Sequence, residues 1–199
     1  MSGADAIRGL YERHATAFDR IRGRQLFEKT WLDRFTAGLP RDGTVLDLGC
    51  GAGEPMAAYL IDGRYRLTGI DSAPSLTALC RDRFPGYDWR VGDMREVAFG
   101  RRFHGILAWH SFFHLTPEDQ RDMFPRFAAH AAKDAMLMFT SGPTAGVVVG
   151  EFEFEPLYHA SLDPQEYQDL LAASGFDLVD HLADDPDCGG ATVWLARRR

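Results

Sequence analysis

Hydrophobic and polar residues alternate with two different periods along this chain, and each change of period marks the boundary of a predicted element. Over residues 7–35, apolar side chains recur at helical spacing, which predicts one or two amphipathic helices. A Gly-Leu-Pro sequence at residues 38–40 then predicts the end of this N-terminal helical part.

From residue 43 onward, β-rich runs alternate with helical segments. The predicted strands cover residues 44–48, 65–70, 88–91, 103–108 and 135–140, and the predicted helices cover residues 53–62, 74–84 and 117–131. Thr116 has the position of an N-cap, because Pro117 follows it at the first helical position. Strands that alternate with helices of this length indicate βαβ units and a parallel sheet covered on both faces.

The last part of the chain departs from this rhythm. A helix is predicted over residues 164–174, and strand-like runs follow at 176–182 and 192–197. The loop between these two runs, residues 184–190, is too short for a helical crossover. We therefore expect the last two strands to pair antiparallel.

The connection over residues 141–163 is long for a loop between a strand and a helix. Within it, Glu and Phe alternate with period two, which is typical of a short strand with one apolar face. One interpretation is a solvated hairpin. The other, which we favour because ligands cluster where strands of such sheets end, is a wall or lid that displays Tyr158 and His159 to a bound molecule.

Charge and apolar run length restrict the partners of the chain. The formal net charge is −7, which argues against binding nucleic acid through bulk charge, since phosphate binding needs a basic face. The basic run at residues 197–199 is interpreted as a solvated terminus. Apolar runs stay far below the roughly 18 residues typical of a membrane helix, so no membrane partner is expected.

The three cysteines, Cys50, Cys80 and Cys188, are widely spaced and include no C-x-x-C pair. This pattern disfavours a disulfide framework and a structural zinc site, and it favours a reducing compartment. The N-terminus carries no recognisable signal peptide. We therefore expect a cytoplasmic protein without a metal.

The strongest chemical signal is the run VLDLGCGAG, where glycines stand at positions 49, 51 and 53 between the first predicted strand and the first helix of the alternating part. Such a loop lets a ligand approach the backbone closely, in front of a helix N-terminus. Asp71 ends the next strand, where a carboxylate can accept hydrogen bonds from ribose hydroxyls. Asp93 and Met94 follow the third strand and offer a polar acceptor and an apolar side chain for an adenine ring.

Asp47, just before the first glycine, helps to distinguish two cofactors. A carboxylate would repel a pyrophosphate, whereas it suits the ammonium of S-adenosylmethionine. The dinucleotide fingerprint also fails, because its third glycine would fall at Glu54. These residues favour S-adenosylmethionine over a nicotinamide dinucleotide.

Taken together, the segments DLGCGAGEP, GIDSAPSL, VGDM and FHGILAWHSFFHLTPEDQ resemble the class I S-adenosylmethionine-dependent methyltransferase family over about residues 40–199. The resemblance implies an α/β fold with a Rossmann-like, doubly wound, seven-stranded sheet that is mostly parallel, with an antiparallel C-terminal strand and added N-terminal helices. With the length of the chain, which fits one domain, we expect a single methyltransferase domain over 1–199, in which 1–38 form a helical lid and 141–163 a substrate-side insertion. Where relatives often have Phe-Asp-Gly, this chain has Phe-His-Gly at 103–105.

The resemblance assigns the methionine and ribose parts of the cofactor to four residues. It implies that Gly49 and Gly51 contact the methionine part and that Asp47 supports this end of the site. It also implies that Asp71 holds the ribose.

The same resemblance assigns five further residues to the cofactor. It implies that Ser72 and Met94 lie beside the adenine and that Asp93 lies at its exocyclic amine. Trp109 would lie near the transferable methyl group, and Tyr11 resembles the N-terminal aromatic residue that closes over the cofactor in small family members.

His110 and His114 are the candidate catalytic residues, since both follow the fourth strand and an imidazole can accept a proton near neutral pH. In the alternative interpretation, His110 lines the pocket and His114 caps or packs against the next helix. A base is needed only if the acceptor carries a proton that must leave. Metal ligation is disfavoured, because a supporting set of ligands is missing.

The function we favour is methyl transfer to a small molecule by a monomer or homodimer, because the chain shows no added domain for a macromolecule. The Asn-Pro-Pro-Tyr signature of enzymes that methylate amides or base amino groups is absent after the fourth strand. The alternatives are a methyltransferase acting on protein or nucleic acid, a nicotinamide-dependent oxidoreductase and a cofactor-binding protein without catalysis.

Overall fold

The N-terminal amphipathic segment folds into three helices in the computed structural model, which describes residues 3–199. These helices are α1 (Gly3–Arg13), α2 (Ala15–Arg22) and α3 (Lys29–Ala37). The expectation of one or two helices was wrong, because the helix breaks at His14 and ends again at Gly23, whose φ is 66°. The predicted stop after this part is confirmed, with Gly38 capping α3.

The rest of the chain contains nine strands and four helices among the described residues. The strands are β1 (Thr44–Leu48), β2 (Arg66–Asp71), β3 (Asp88–Val91), β4 (Phe103–Ala108), β5 (Ala131–Ser141), β6 (Gly146–Phe152), β7 (Glu155–Ser161), β8 (Phe176–Asp185) and β9 (Ala191–Arg198). The helices are α4 (Met56–Asp62), α5 (Pro74–Arg83), α6 (Pro117–His130) and α7 (Pro164–Ala173).

Seven strands form one sheet in the order β3-β2-β1-β4-β5-β9-β8. The first five strands of this order are parallel, and β9 pairs antiparallel with both of its neighbours. The predicted doubly wound, mostly parallel sheet with an antiparallel C-terminal strand is confirmed. The strand order reverses between β1 and β4, so a crevice opens at their carboxyl ends, where sheets of this kind bind ligands.

Two helix starts illustrate how local sequence determines an element boundary. The Thr116 side chain accepts a hydrogen bond from the backbone N–H of Asp119 at 3.1 Å, which confirms the predicted cap of α6. Helix α4 begins at Met56, three residues later than predicted. The glycine loop extends further than expected because Gly53 has a φ of 84°, outside the helical region.

Strands β6 and β7 form a separate antiparallel hairpin. Glu153 and Phe154 lie at its turn, with φ values of 50° and 65°. The alternating Glu and Phe residues therefore span two strands and a turn, so the segment is a hairpin, as one of the two interpretations expected, and not a single short strand. The sequence lacks the Asn-Gly or Asp-Gly pair that usually marks such a tight turn, so the reversal had no local signal.

Alternate residues of the central strands supply two hydrophobic layers, one on each face of the sheet. In β4, Ile106 belongs to the layer that contains the phenylalanines of α6, and Leu107 belongs to the layer that contains Trp31 and Phe35 of α3. Because both faces are covered, the strands are apolar on both sides and rigidly support the loops at their ends. Within residues 3–199, no helix is both long and apolar enough to cross a membrane.

Candidate active site

A cavity of about 330 Å³ lies at the carboxyl ends of β1 and β4, where the strand order reverses. Its walls come from the glycine loop after β1, the ends of β2 and β3, the segment after β4, helices α1 and α2, and strand β7. The cavity brings together all nine residues predicted for the cofactor, namely Tyr11, Asp47, Gly49, Gly51, Asp71, Ser72, Asp93, Met94 and Trp109.

The candidate catalytic residues His110 and His114 line the same cavity, as does His159. The side chain of Tyr158 does not, so its predicted contact with a substrate is not supported by the structure. Successive side chains of a strand point to opposite faces, and His159 takes the face toward the cavity. The ring of Tyr158 packs instead beside Gly3 of α1.

The glycine loop after β1 passes close to the segment after β4. A Cβ atom at Gly49 would lie 2.2 Å from the Cβ of Ser111, and the Ser111 hydroxyl donates a hydrogen bond to the carbonyl oxygen of Leu48 at 2.6 Å. Gly49 and Gly51 have φ values of 77° and 54°, which L-residues rarely adopt. The loop therefore requires glycine for its backbone conformation and for its close packing.

The Asp71 carboxylate shapes this loop as well as facing the cavity. One of its oxygens accepts a hydrogen bond from the backbone N–H of Gly51 and the other accepts one from Ala73, both at 2.9 Å. Burial raises the pKa of Asp71. An ionised carboxylate has about four acceptor positions, so each oxygen retains a lone pair for a ligand hydroxyl.

Asp47 is only 3% exposed and is one of the residues that line the cavity. Burial, reinforced by the negative charge of Asp71, raises the pKa of Asp47 to about 7. Among residues 3–199, no donor forms a hydrogen bond with this carboxylate. A cationic ligand group beside Asp47 would stabilise its ionised form.

Asp93 is more constrained than the sequence indicated. Its carboxylate accepts hydrogen bonds from the backbone N–H of Arg95, at 2.9 Å, and from the Arg95 guanidinium, at 2.6 to 3.1 Å. Asp119 binds the same guanidinium at 3.0 Å. This network fixes the short turn that presents Met94 to the cavity.

Trp109 and His110 begin the segment after β4. Trp109 is 6% exposed, and in the described part of the chain its Nε1–H is buried without a hydrogen-bond partner. His110 has a φ of 48°, and its backbone N–H donates to Thr140 Oγ1 at 2.9 Å. His110 lines the cavity and remains exposed to solvent at its mouth, while desolvation by the surrounding protein, together with the nearby charge of Arg22, lowers its pKa to about 4.

The ring of His114 is engaged at both nitrogens. Nδ1 lies 2.7 Å from the carbonyl oxygen of Tyr158, and Nε2 lies 3.1 Å from the Tyr11 hydroxyl. Burial lowers the pKa of His114 to about 3, so the ring is neutral at physiological pH. These partners leave neither ring nitrogen free for a bound molecule.

Helices α1 and α2 contribute cavity residues that the predicted site did not include, chiefly Arg8, Phe18 and Arg22. A Cβ on Gly51 would lie 3.2 Å from the Phe18 ring, so this ring covers the glycine loop. Arg22 donates to the buried carboxylate of Glu28 at 2.5 Å. Apolar and basic residues at helical spacing also fit a core stripe and a solvated face, so the pattern alone could not identify them.

Two polar contacts hold these helices over the cavity. Glu12 of α1 accepts hydrogen bonds from the backbone N–H and the hydroxyl of Ser75, at 2.9 and 2.8 Å. Asp19 of α2 pairs with the Arg83 guanidinium at 2.5 and 2.7 Å. Both partners belong to α5, so α1 and α2 are anchored beside the loop that follows β2.

Comparison with known proteins identifies a family and a relative that this chain resembles. Residues 45–134 match a family described as "Methyltransferase domain". A 2-phytyl-1,4-naphtoquinone methyltransferase from Thermosynechococcus vestitus is 28% identical over 158 residues, which cover 71% of this chain and 68% of that protein.

Solved structures of low sequence identity share the fold. A 1,6-didemethyltoxoflavin-N1-methyltransferase from Burkholderia thailandensis has a TM-score of 0.77 at 20% identity, covering 98% of this chain and 88% of that one. CalS10 from Micromonospora echinaspora, an amino pentose methyltransferase with bound S-adenosylmethionine, has a TM-score of 0.72 at 20% identity, covering 92% of this chain and 96% of that one.

Proposed function

We propose that this chain, which matches a methyltransferase domain over residues 45–134 and shares the fold of solved methyltransferases, is a class I S-adenosylmethionine-dependent methyltransferase. It would transfer the cofactor's methyl group to a small organic molecule at the histidine-lined end of the cavity. The observation that carries this proposal is the single cavity shared by the glycine loop, Asp71 and the segment after β4. The relatives' own names give small acceptors, among them a naphthoquinone and an amino pentose.

Charged groups in the cavity match the charged ends of the cofactor's methionine part. Asp47, which no donor in the described chain satisfies, would hold the ammonium. Arg22 uses one of its five N–H donors on Glu28, so the others can hold the carboxylate. The glycine loop leaves room for this part of the molecule.

The other residues at the glycine-loop end of the cavity match the ribose and adenine of the cofactor. Asp71 would accept the ribose hydroxyls with the lone pairs that its backbone contacts leave free. Leu76 and Met94 supply apolar contacts for the adenine, beside Ser72. Asp93 keeps acceptor capacity for the exocyclic amine while Arg95 holds it in place.

S-Adenosylmethionine supplies an electrophilic methyl group on a sulfonium, and the neutral thioether leaves when the methyl group is transferred. The residues of this chain then have to align the acceptor and exclude water. We propose that residues 3–38 act as the lid and that the insertion over 141–163, through His159, forms the acceptor wall. Aromatic faces beside the sulfonium, including Trp109, would add about 0.5–2 kcal/mol of cation–π attraction.

We propose His110 as the residue that accepts a proton from the acceptor. In residues 3–199 its ring nitrogens form no hydrogen bond, whereas both nitrogens of His114 are occupied. Its lowered pKa keeps the ring neutral, and therefore able to accept a proton, throughout the physiological range. A base this weak suits an acceptor whose proton is itself acidic, such as a phenol, an enol or a ring N–H.

We further propose that the protein works in the cytoplasm as a monomer or homodimer and does not act on nucleic acid. The net charge of −7 supports the last point, because phosphate backbones require a basic surface. The three cysteines are free and buried, which suits a reducing compartment.

The affinity for the reaction product S-adenosylhomocysteine, which keeps the ammonium, should rise with pH because of Asp47. With a pKa of about 7 in the free protein, the ionised fraction of Asp47 grows about eightfold between about pH 6 and pH 7.5. Only the ionised carboxylate attracts the ammonium, so the Kd measured by calorimetry should fall by about the same factor. Asp47→Asn should bind more weakly and show no such pH dependence; a variant that keeps the wild-type pH profile would exclude this role.

The same pKa shift predicts the pH dependence of stability. The folded protein binds the Asp47 proton more tightly than the unfolded chain does, so this residue's contribution to the free energy of unfolding falls as the pH rises from about 4 through about 7. Asp47→Asn removes the titrating group, so the difference in stability between variant and wild type should change with pH in that range.

Release of S-adenosylhomocysteine from S-adenosylmethionine over a panel of small acceptors tests the proposed function. The panel should include phenols, enols, ring N–H heterocycles and amino sugars. At least one class should give acceptor-dependent product, and the methylated acceptor should be detected by mass. A protein that binds the cofactor but methylates only nucleic acid or protein would contradict the proposal.

A further inference from the structure

His114 connects three separate parts of the molecule. It lies in the short turn after β4, and its two ring nitrogens contact Tyr11 of α1 and the carbonyl of Tyr158 in β7. The partners are 103 and 44 residues away along the chain. The ring is therefore a bridge from the helices over the cofactor end to the hairpin strand that carries His159.

The hydrogen-bond partners define the tautomer of this imidazole. The Tyr158 carbonyl can only accept, so Nδ1 carries the proton and donates it. Nε2 is then the acceptor, and the Tyr11 hydroxyl must donate to it. The chain of bonds runs in one direction, from Tyr11 through His114 to β7, and every member is satisfied.

We propose that His114 is a positioning residue that couples α1 to β7, so that cofactor binding beneath Tyr11 orders the acceptor wall around His159. This inference rests on the proposed function, because it takes the glycine-loop end of the cavity as the cofactor site. Its consequence is that the acceptor side, already formed in the free protein, becomes less mobile when the cofactor is bound.

The packing around His114 would transmit a movement of its ring toward the acceptor. The ring centroids of Phe113 and His159 lie 4.8 and 4.9 Å from that of His114, and those of Phe113 and His159 lie 5.0 Å apart. All three rings line the cavity. A displacement of His114 would therefore displace the wall that an acceptor touches, because packed rings leave no free space between them.

The other end of the bridge lies at the cofactor site. Tyr11 lines the cavity and packs against Phe18, whose ring covers Gly51, with centroids 5.1 Å apart. Burial and the negative charge of Asp71 raise the pKa of Tyr11, so its hydroxyl remains a donor and lies near the proposed ribose carboxylate. A ligand at Asp71 would thus restrict Tyr11 directly.

A second contact joins the same two elements and provides a matched control. Arg13 and His14 both pair with Glu155 of β7, and the Arg13 pair is exposed on both sides. Exposed ion pairs contribute little to stability, whereas loss of a buried hydrogen bond leaves an unsatisfied polar group. We therefore assign the coupling to His114 and not to Glu155.

Hydrogen–deuterium exchange with saturating S-adenosylhomocysteine tests the coupling without any acceptor. In the wild type, the ligand should slow amide exchange in both α1 and β7 by at least about fivefold, the lower end of typical coupling between sites. In Tyr11→Phe, which removes only the hydroxyl, α1 should stay protected and the effect on β7 should fall below about twofold. His114→Phe should give the same result, and Glu155→Gln should behave as the wild type.

The change in amide exchange on adding the ligand separates coupling from a merely structural role of His114. If the role were only structural, the substitutions would change exchange equally with and without the ligand. Undiminished β7 protection in Tyr11→Phe, or protection of α1 alone in the wild type, would overturn the coupling while leaving the cofactor site intact. If the ligand protects no segment of the wild type, the proposed function fails and the coupling fails with it.

Discussion

Replacing Gly51 with valine should abolish binding of S-adenosylmethionine, weakening it by more than about 100-fold, or over about 2.7 kcal/mol. Gly51 has a φ of 54°, donates its N–H to Asp71, and would place a Cβ 3.2 Å from the Phe18 ring. A branched side chain would thus project between the loop and the helix that covers it, in the space proposed for the methionine part. Isothermal titration calorimetry measures the loss.

A matched control separates this steric effect from the cost of a left-handed backbone. Gly100 has a φ of 63°, but a Cβ there would meet nothing within 4 Å, and the residue does not line the cavity. Gly100→Val should lose stability and keep its affinity for the cofactor. If Gly51→Val folds, as judged by circular dichroism, and binds with the wild-type Kd, the loop is not the cofactor site.

Replacing His110 with alanine should lower kcat by about 10²- to 10⁴-fold with an acceptor identified from the panel, the range for loss of a general base. The affinity for S-adenosylhomocysteine should change by less than about fivefold, because a lost base is not a lost cofactor contact. His104 is a suitable control, since its Nδ1 bonds to Thr44 at the far end of β4. His104→Ala should keep wild-type turnover.

The pH profile provides an independent test of the role of His110. Because its pKa is lowered to about 4, the ring is already neutral between about pH 6 and pH 8, and its titration should not affect turnover in that range. The rate should fall only toward about pH 4, and His110→Ala should lose that fall. If His110→Ala has near-normal turnover and an unchanged pH profile, His110 only lines the cavity and is not the base.

Much of the fold was predictable because its signals are local. Strands buried on both faces appear as short apolar runs, and β3 and β4 have the predicted bounds. Thr116 and Pro117 mark the start of α6 through one hydrogen bond and one fixed dihedral angle. The glycine loop was recognisable because its backbone conformation and close packing require glycine.

The position of the hairpin turn and the contacts of the lid were not predictable in this way. The β6–β7 turn falls at Glu153 and Phe154, and neither residue is one of the types that favour a left-handed backbone, so the sequence does not mark the turn. Arg22 fits a solvated helix face until the tertiary structure places it against the cavity. The role of His114 depends on hydrogen-bond partners that are distant in sequence. The local sequence therefore indicated a free imidazole, whereas both ring nitrogens form hydrogen bonds in the structure.

Titration of the wild-type protein with S-adenosylmethionine and, separately, with NADH tests the central claim most directly. The cavity combines Asp47, Arg22 and Asp71, which match an ammonium, a carboxylate and a ribose, and Asp47 would repel a pyrophosphate. We predict saturable one-site binding of S-adenosylmethionine and no detectable binding of NADH by calorimetry. Binding of NADH without binding of S-adenosylmethionine would contradict the account.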